Sequence, residues 1–200
     1  MADNSRLRKN SPMPNKLSEM TLEELWHLFP IQLTEPNKEW KAYYEEAHHE
    51  IAKLLSDMDI VRISHIGSTA VKGIWAKPII DILIELNTDN DMRRIAGILE
   101  QNGYICMSAD DKRISLNKGY TEKGFADKVY HVHIRYSGDN DELYFRDYLN
   151  EYPAAAKEYE NLKLLLWKKY EFDRDGYTAA KSSFIKKITT EAKELYRGRY

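Results

Sequence analysis

The chain has 200 residues, 42% hydrophobic and 31% charged, with a formal net charge of −2. That balance suits one globular domain with its own core and gives no general electrostatic pull toward nucleic acid. No apolar run approaches the ~20 residues of a membrane span, and the single Cys106 excludes an internal disulfide framework and fits a reducing cytoplasm.

Residues 1–18 are polar, carry two prolines and no periodicity, and lack an apolar signal core. They predict a disordered tail ahead of a single domain over 19–200. Thr21-Leu22-Glu23-Glu24 fits a capping box, so a short helix opens there and stops near Pro30. Ile31 to Leu33 reads as a short strand. From Asn37 to about Met58, Trp40, Tyr43, Tyr44, Ala47, Ile51, Leu54 and Leu55 keep helical spacing. His48 and His49 on this helix cannot face the same way and have no second ligand at metal spacing, so they read as surface residues.

Val61 to Ile66 is a β-rich run that enters Gly67-Ser68-Thr69 directly. A glycine lets the backbone turn and lets a ligand approach. Two hydroxyls beside freed N–H groups suit phosphate oxygens. Ile79 to Leu86 follows as a second β-branched run, introduced by Pro78, with Asp81 inside it. Thr88-Asp89 starts a helix that Gly103 ends. Tyr104 to Ser108 and Arg113 to Lys118 read as strands, and Cys106 between Ile105 and Met107 as a buried small hydrophobe. Two glycines make 118–127 a loop. Lys128 to Tyr136 alternates clearly and is a strand. The remainder is helical: Asp139 to Glu151, a helix begun by Pro153, and a helix over Thr178 to Arg197. A sheet core over about 31–136 is thus followed by a helical part over about 139–197. From Tyr152 to Tyr200 there are eleven Lys/Arg against seven Asp/Glu, which makes the helical end the more attractive one for a phosphate-rich partner.

Side chains alternate along strands. One face of the sheet then carries Ile80, Ile82, Ile84, Leu86, Ile114, Leu116, Val132 and Ile134. The other carries Asp81, Leu83, Glu85, Arg113, Ser115, Asn117, His131, His133 and Arg135. An antiparallel sheet can simply wet one face. A lone aspartate with two histidines and an arginine points instead to a ligand or metal.

A glycine-serine turn after one strand, with an acid in the next, resembles the nucleotidyltransferase superfamily. The string HIGSTAV…AKPIIDI from His65 to Ile82 is similar to the GrpB family, a branch of that fold. So are His131-Val132-His133, Phe145-Arg146-Asp147-Tyr148-Leu149, and Tyr177 with Lys181 and Phe184. The resemblance covers roughly 31–196. It implies an α+β fold: a nucleotidyltransferase-like mixed sheet with helices on one face and a C-terminal helical bundle. It also implies a nucleotide's phosphates on the serine turn and a divalent metal (magnesium, manganese or zinc) on the strands. The superfamily's second acid falls at Leu83. Glu85 cannot replace it, because its Cα lies ~13 Å along the strand from that of Asp81. The place of the third acid offers His131 and His133, whose imidazoles suit zinc, manganese or iron better than magnesium.

The expected site is therefore Gly67, Ser68, Thr69 and Lys77 for phosphate, Asp81 with Ser68 for catalysis, and Asp81, His131 and His133 for the metal. Lys72 stands where the family more often has proline. His65 either orients the turn or sits in the core, Arg146 and Asp147 form an ion pair tying helix to sheet, and Tyr177 and Lys181 share a helix face. The ligand is a nucleotide or phosphorylated small molecule; membrane and nucleic acid are not expected. Three functions stay open: transfer of a nucleotide to a small acceptor, a non-catalytic nucleotide-binding module, and a His/Asp metal-dependent phosphoesterase.

Overall fold

The computed structural model describes residues 16–200. After a single 3-10 turn at Leu17–Glu19 come α1 (Leu22–Leu28), α2 (Glu39–Leu54), β1 (Ile60–Ile66), β2 (Ile79–Leu86), α3 (Met92–Glu100), β3 (Ile105–Ala109), β4 (Arg113–Thr121), β5 (Gly124–Tyr136), α4 (Asp141–Glu151), α5 (Pro153–Lys169) and α6 (Arg174–Leu195). The expected tail lies outside the described residues as far as residue 15. Among the described residues no helix is long and apolar enough to cross a membrane.

The five strands form one mixed sheet in the order β1-β2-β5-β4-β3. Only β2 and β5 run parallel; the other pairs are antiparallel. The α+β class and mixed sheet are as expected. The apolar face carries Ile80, Ile82, Ile84, Ile114, Leu116, Val132 and Ile134 and packs on Trp40, Ala47, Ile51 and Leu55 of α2 and its end and on Met92, Ile95 and Leu99 of α3. Each such aliphatic side chain contributes ~1.5–3 kcal/mol on full burial, so this layer holds the sheet in place.

The C-terminal helices form the expected bundle, and they reach the other face. Leu143 of α4 packs on Ile66 and Leu83. Leu149, Ala156, Tyr159 and Ile188 close around Val71 and Ile74 of the segment after the turn. Arg146 pairs with Asp147 at 2.7 Å and donates to the His65 carbonyl at 2.8 Å, tying α4 to the edge strand β1.

The capping box at Thr21 is present in full. Other boundaries shift for local reasons. The stretch over 118–127 is a hairpin rather than a loop: β4 runs to Thr121 and pairs there with Gly124. A register shift between Lys118 and Tyr120 breaks the alternation. Gly119 (φ 93°) sits in it, where a Cβ would come within 3.1 Å of Val129 Cα; such a bulge reads as a turn in sequence. The short strand at Ile31–Leu33 reduces to one bridge, Thr34 to Ala76. Helix α3 is capped by Asp91, not Thr88-Asp89, and α6, capped by Asp173, starts at Arg174, four residues before the expected Thr178. Cys106 is half-buried against the core rather than fully inside it.

Candidate functional site

Strand β1 ends at Ile66, which pairs with Asp81 of β2, and Asp81 in turn pairs with His131 of β5. The chain therefore turns beside the aspartate. Gly67 has φ 72° and ψ −172°, and a Cβ there would overlap the Asp81 carboxylate, 2.9 Å from its Cγ. The glycine is needed both for its backbone angle and for the room it leaves.

Thr69 does not present its hydroxyl to a ligand. It donates to the Ile79 carbonyl at 3.0 Å and meets His65 Nε2 at 3.0 Å. A hydroxyl has one proton, so His65 is the donor in the second bond and carries its hydrogen on Nε2. Burial pushes His65 down to about 4, keeping the ring neutral. Its ring stacks on Tyr44 at 4.7 Å. Of the two expectations for His65, orienting the turn fits these bonds.

Asp81, His131 and His133 converge. Asp81 Oδ1 lies 3.2 Å from His131 Nδ1 and 3.8 Å from His133 Nε2, and donor atoms of all three fall within 4.8 Å of one another. The second nitrogen of each ring is also held. His131 Nε2 is 2.8 Å from the Tyr120 hydroxyl, which accepts from Arg174 at 3.2 Å; His133 Nδ1 is 3.4 Å from the Ser115 hydroxyl. Metal-binding imidazoles are oriented in this way. Burial would raise the Asp81 carboxyl, but hydrogen bonds and charge from both histidines outweigh it and hold it below the usual carboxylate range. One ionised carboxylate and two fixed imidazoles fit zinc, manganese or iron, with bonds of ~2.0–2.2 Å, better than magnesium, which takes oxygen donors.

A cleft of about 770 Å³ opens over this cluster, between the sheet and α6. Gly67, Ser68, Asp81, His133, Tyr159 and Lys181 line it. The Ser68 side chain lies beside the Tyr159 phenol, which burial pushes up to about 12. Lys77 and Lys181 share the Tyr177 ring, their Nζ atoms 5.0 and 4.2 Å from its centre. Neither meets a carboxylate at ion-pair distance among the described residues. Burial pushes Lys77 down to about 7 and Lys181 to about 8. Glu85 stands outside the site, fully buried and bound to Arg62 at 2.6 Å and Asn140 at 2.8 Å. Lys72 is exposed and lines a different cavity.

Tyr120, Arg174 and Tyr159 were not expected at the site. Tyr120 falls in the segment read as a loop, and Arg174 precedes the predicted start of its helix. Tyr159 carries a helical apolar spacing that signals core. Ser115 was already on the polar face, and only the register to His133 gives it a role.

A family model described as GrpB protein matches residues 30–191. The chain belongs to the GrpB family. It is 34% identical to the glutamate-rich protein GrpB of Alkalihalophilus pseudofirmus over 80% of this chain and 95% of that protein. It is 30% identical to the UPF0157 protein YqkA of Bacillus subtilis over 92% of this chain, but spans only 54% of that relative's length. The GrpB crystal structure from Enterococcus faecalis superposes with a TM-score of 0.71 at 32% identity, covering 82% of this chain and 99% of that one. A structure of Cid1 poly(U) polymerase overlaps at a TM-score of 0.48 and 15% identity, over 74% of this chain and 47% of that one, from which nothing about activity follows.

Proposed function

We propose that this GrpB protein binds a phosphorylated small molecule, a nucleotide first among them, across one divalent ion held by Asp81, His131 and His133. The convergence of those three donors beside the Gly67-Ser68 turn is the observation that supports the reading. The Ser68 hydroxyl and the N–H groups of the turn bind phosphate oxygens, while Lys181 and Lys77 offset their charge. Tyr120 and Ser115 keep the imidazoles in place. A bound ion supplies Lewis-acid polarisation of a phosphoryl oxygen. With Leu83 packed against α4, Asp81 is the one carboxylate of the three-donor cluster found among the described residues. That favours one-metal cleavage of a phosphate ester over nucleotidyl transfer with two magnesium ions.

The test is calorimetric titration of manganese, zinc and magnesium into the wild type, Asp81→Asn and His133→Ala, each with and without ATP. Manganese or zinc binds the wild type, and each substitution weakens it more than tenfold. Magnesium that binds only with ATP, indifferent to His133→Ala, supports the nucleotidyltransferase reading instead. ATP affinity independent of any ion supports a binding module.

A further inference from the structure

A second cavity of about 760 Å³ lies behind the turn. Ile66, Gly67 and Ser68 line the metal cleft, whereas His65, Thr69 and Ala70 line this one, and no residue is common to both. The alternation of β1 sets the division: Ile66 is registered with Asp81 and His65 with Ile82 of the helix-covered face.

Three features of this cavity bear on a ligand. The first is His65 Nδ1. The bond to Thr69 fixes the hydrogen on Nε2, so Nδ1 carries a lone pair, and it has no hydrogen-bond partner among the described residues. The second is an aromatic wall made by Tyr44 stacked on His65 at an interplanar angle of 8°, with Trp40 beside it. The third is charge. Lys38 and Lys72 line the cavity without an ion-pair partner among the described residues, whereas Lys41 pairs with Glu45 and Arg146 with Asp147.

We propose that this cavity is a second ligand site, for a small anionic molecule with an aromatic ring and a hydrogen-bond donor. The ring packs on the Tyr44–His65 wall, the donor meets His65 Nδ1, and the anionic group faces Lys72 and Lys38. The turn separates such a ligand from Asp81, so it is not a substrate of the metal cleft. The inference stands whether or not the cleft binds metal.

The probe is 4-hydroxybenzoate, titrated by calorimetry into the full chain, with benzoate as the ligand lacking the donor. The wild type binds 4-hydroxybenzoate at least tenfold more tightly than benzoate. Lys72→Glu, an exposed side chain whose substitution leaves the melting temperature in place, weakens binding at least tenfold. His65→Phe abolishes the preference for the hydroxyl. Added manganese leaves the affinity unchanged, which separates this site from the proposed metal centre. No binding at millimolar probe, or binding that Lys72→Glu leaves intact, or affinity that tracks manganese, overturns the proposal.

Discussion

Gly67 and Ser68 are neighbours with different duties. Gly67 is fixed by its positive φ and by the Asp81 carboxylate, which fills the space a Cβ would need. Gly67→Ala carries the ~1–3 kcal/mol of a side chain held in a region that is nearly glycine-only and in addition pushes the carboxylate aside. A drop in melting temperature and loss of manganese binding are expected together; a variant of full stability that still binds the ion would refute this account. Ser68 lines the cleft, its side chain beside the Tyr159 phenol. Ser68→Ala leaves stability nearly unchanged and weakens ATP or pyrophosphate by roughly 1.5–3 kcal/mol, the range for a hydrogen bond to a charged group. Calorimetry that finds equal affinity in the variant removes the turn from the ligand site. At this scale the sequence placed Gly67 and Ser68 in one turn and Asp81 and the two histidines on one face, because turn chemistry and strand alternation fix positions locally. It misjudged Thr69, whose hydroxyl is committed to a carbonyl ten residues away that local pattern does not reveal.

The strands and helices explain why the acid expected at residue 83 is a leucine. Along β2, Leu83 faces the same side as Asp81, yet α4 lands on it through Leu143 while Ile66 of β1 flanks it. The position that would hold a second carboxylate anchors the C-terminal bundle instead. Leu83→Asp therefore does not build a magnesium site. It strips packing from a fully buried position, at about 2–5 kcal/mol for the lost side chain alone, and adds an unpaired charge. Thermal or denaturant unfolding should show the loss. A variant as stable as the wild type that gains magnesium affinity would contradict this assignment. The type of nearly every element was legible from periodicity. Besides the strand expected at Ile31–Leu33, which reduces to a bridge, the exception is the β4–β5 hairpin, hidden by the bulge at Gly119, and the hydroxyl of Tyr120 that steadies His131 was hidden with it.

Across the whole molecule, the cleft exists because the sheet's polar face meets the helical bundle, and three lysines near that junction are buried: Lys181, which lines the cleft, and Lys77 and Lys163, which do not. Lys77 feels the charges of Arg174, Lys181 and Asp81; Lys163, pushed down to about 7, feels those of Lys181 and Glu160 and donates to the Trp75 carbonyl. Burial is the main cause in all three lysines, with neighbouring cations adding to it at Lys77 and Lys163. Their folded values, about 7, about 7 and about 8, lie below the ordinary 10.5. The unfolded chain thus binds more protons than the folded one between about pH 7 and pH 10, and stability rises with pH across that window. An anion in the cleft reverses the balance at Lys181, which lines it, by favouring the charged amine. Two results follow. Without ligand, the melting temperature increases from pH 6.5 to pH 9, and Lys181→Met reduces the increase. With pyrophosphate at pH 8, binding takes up protons, which calorimetry in buffers of different ionisation enthalpy detects as a buffer-dependent heat; Lys181→Met reduces that uptake as well. A buffer-independent heat, with a melting temperature that falls over the same range, would mean that these lysines keep their full charge in the folded protein and that pyrophosphate does not bind beside them.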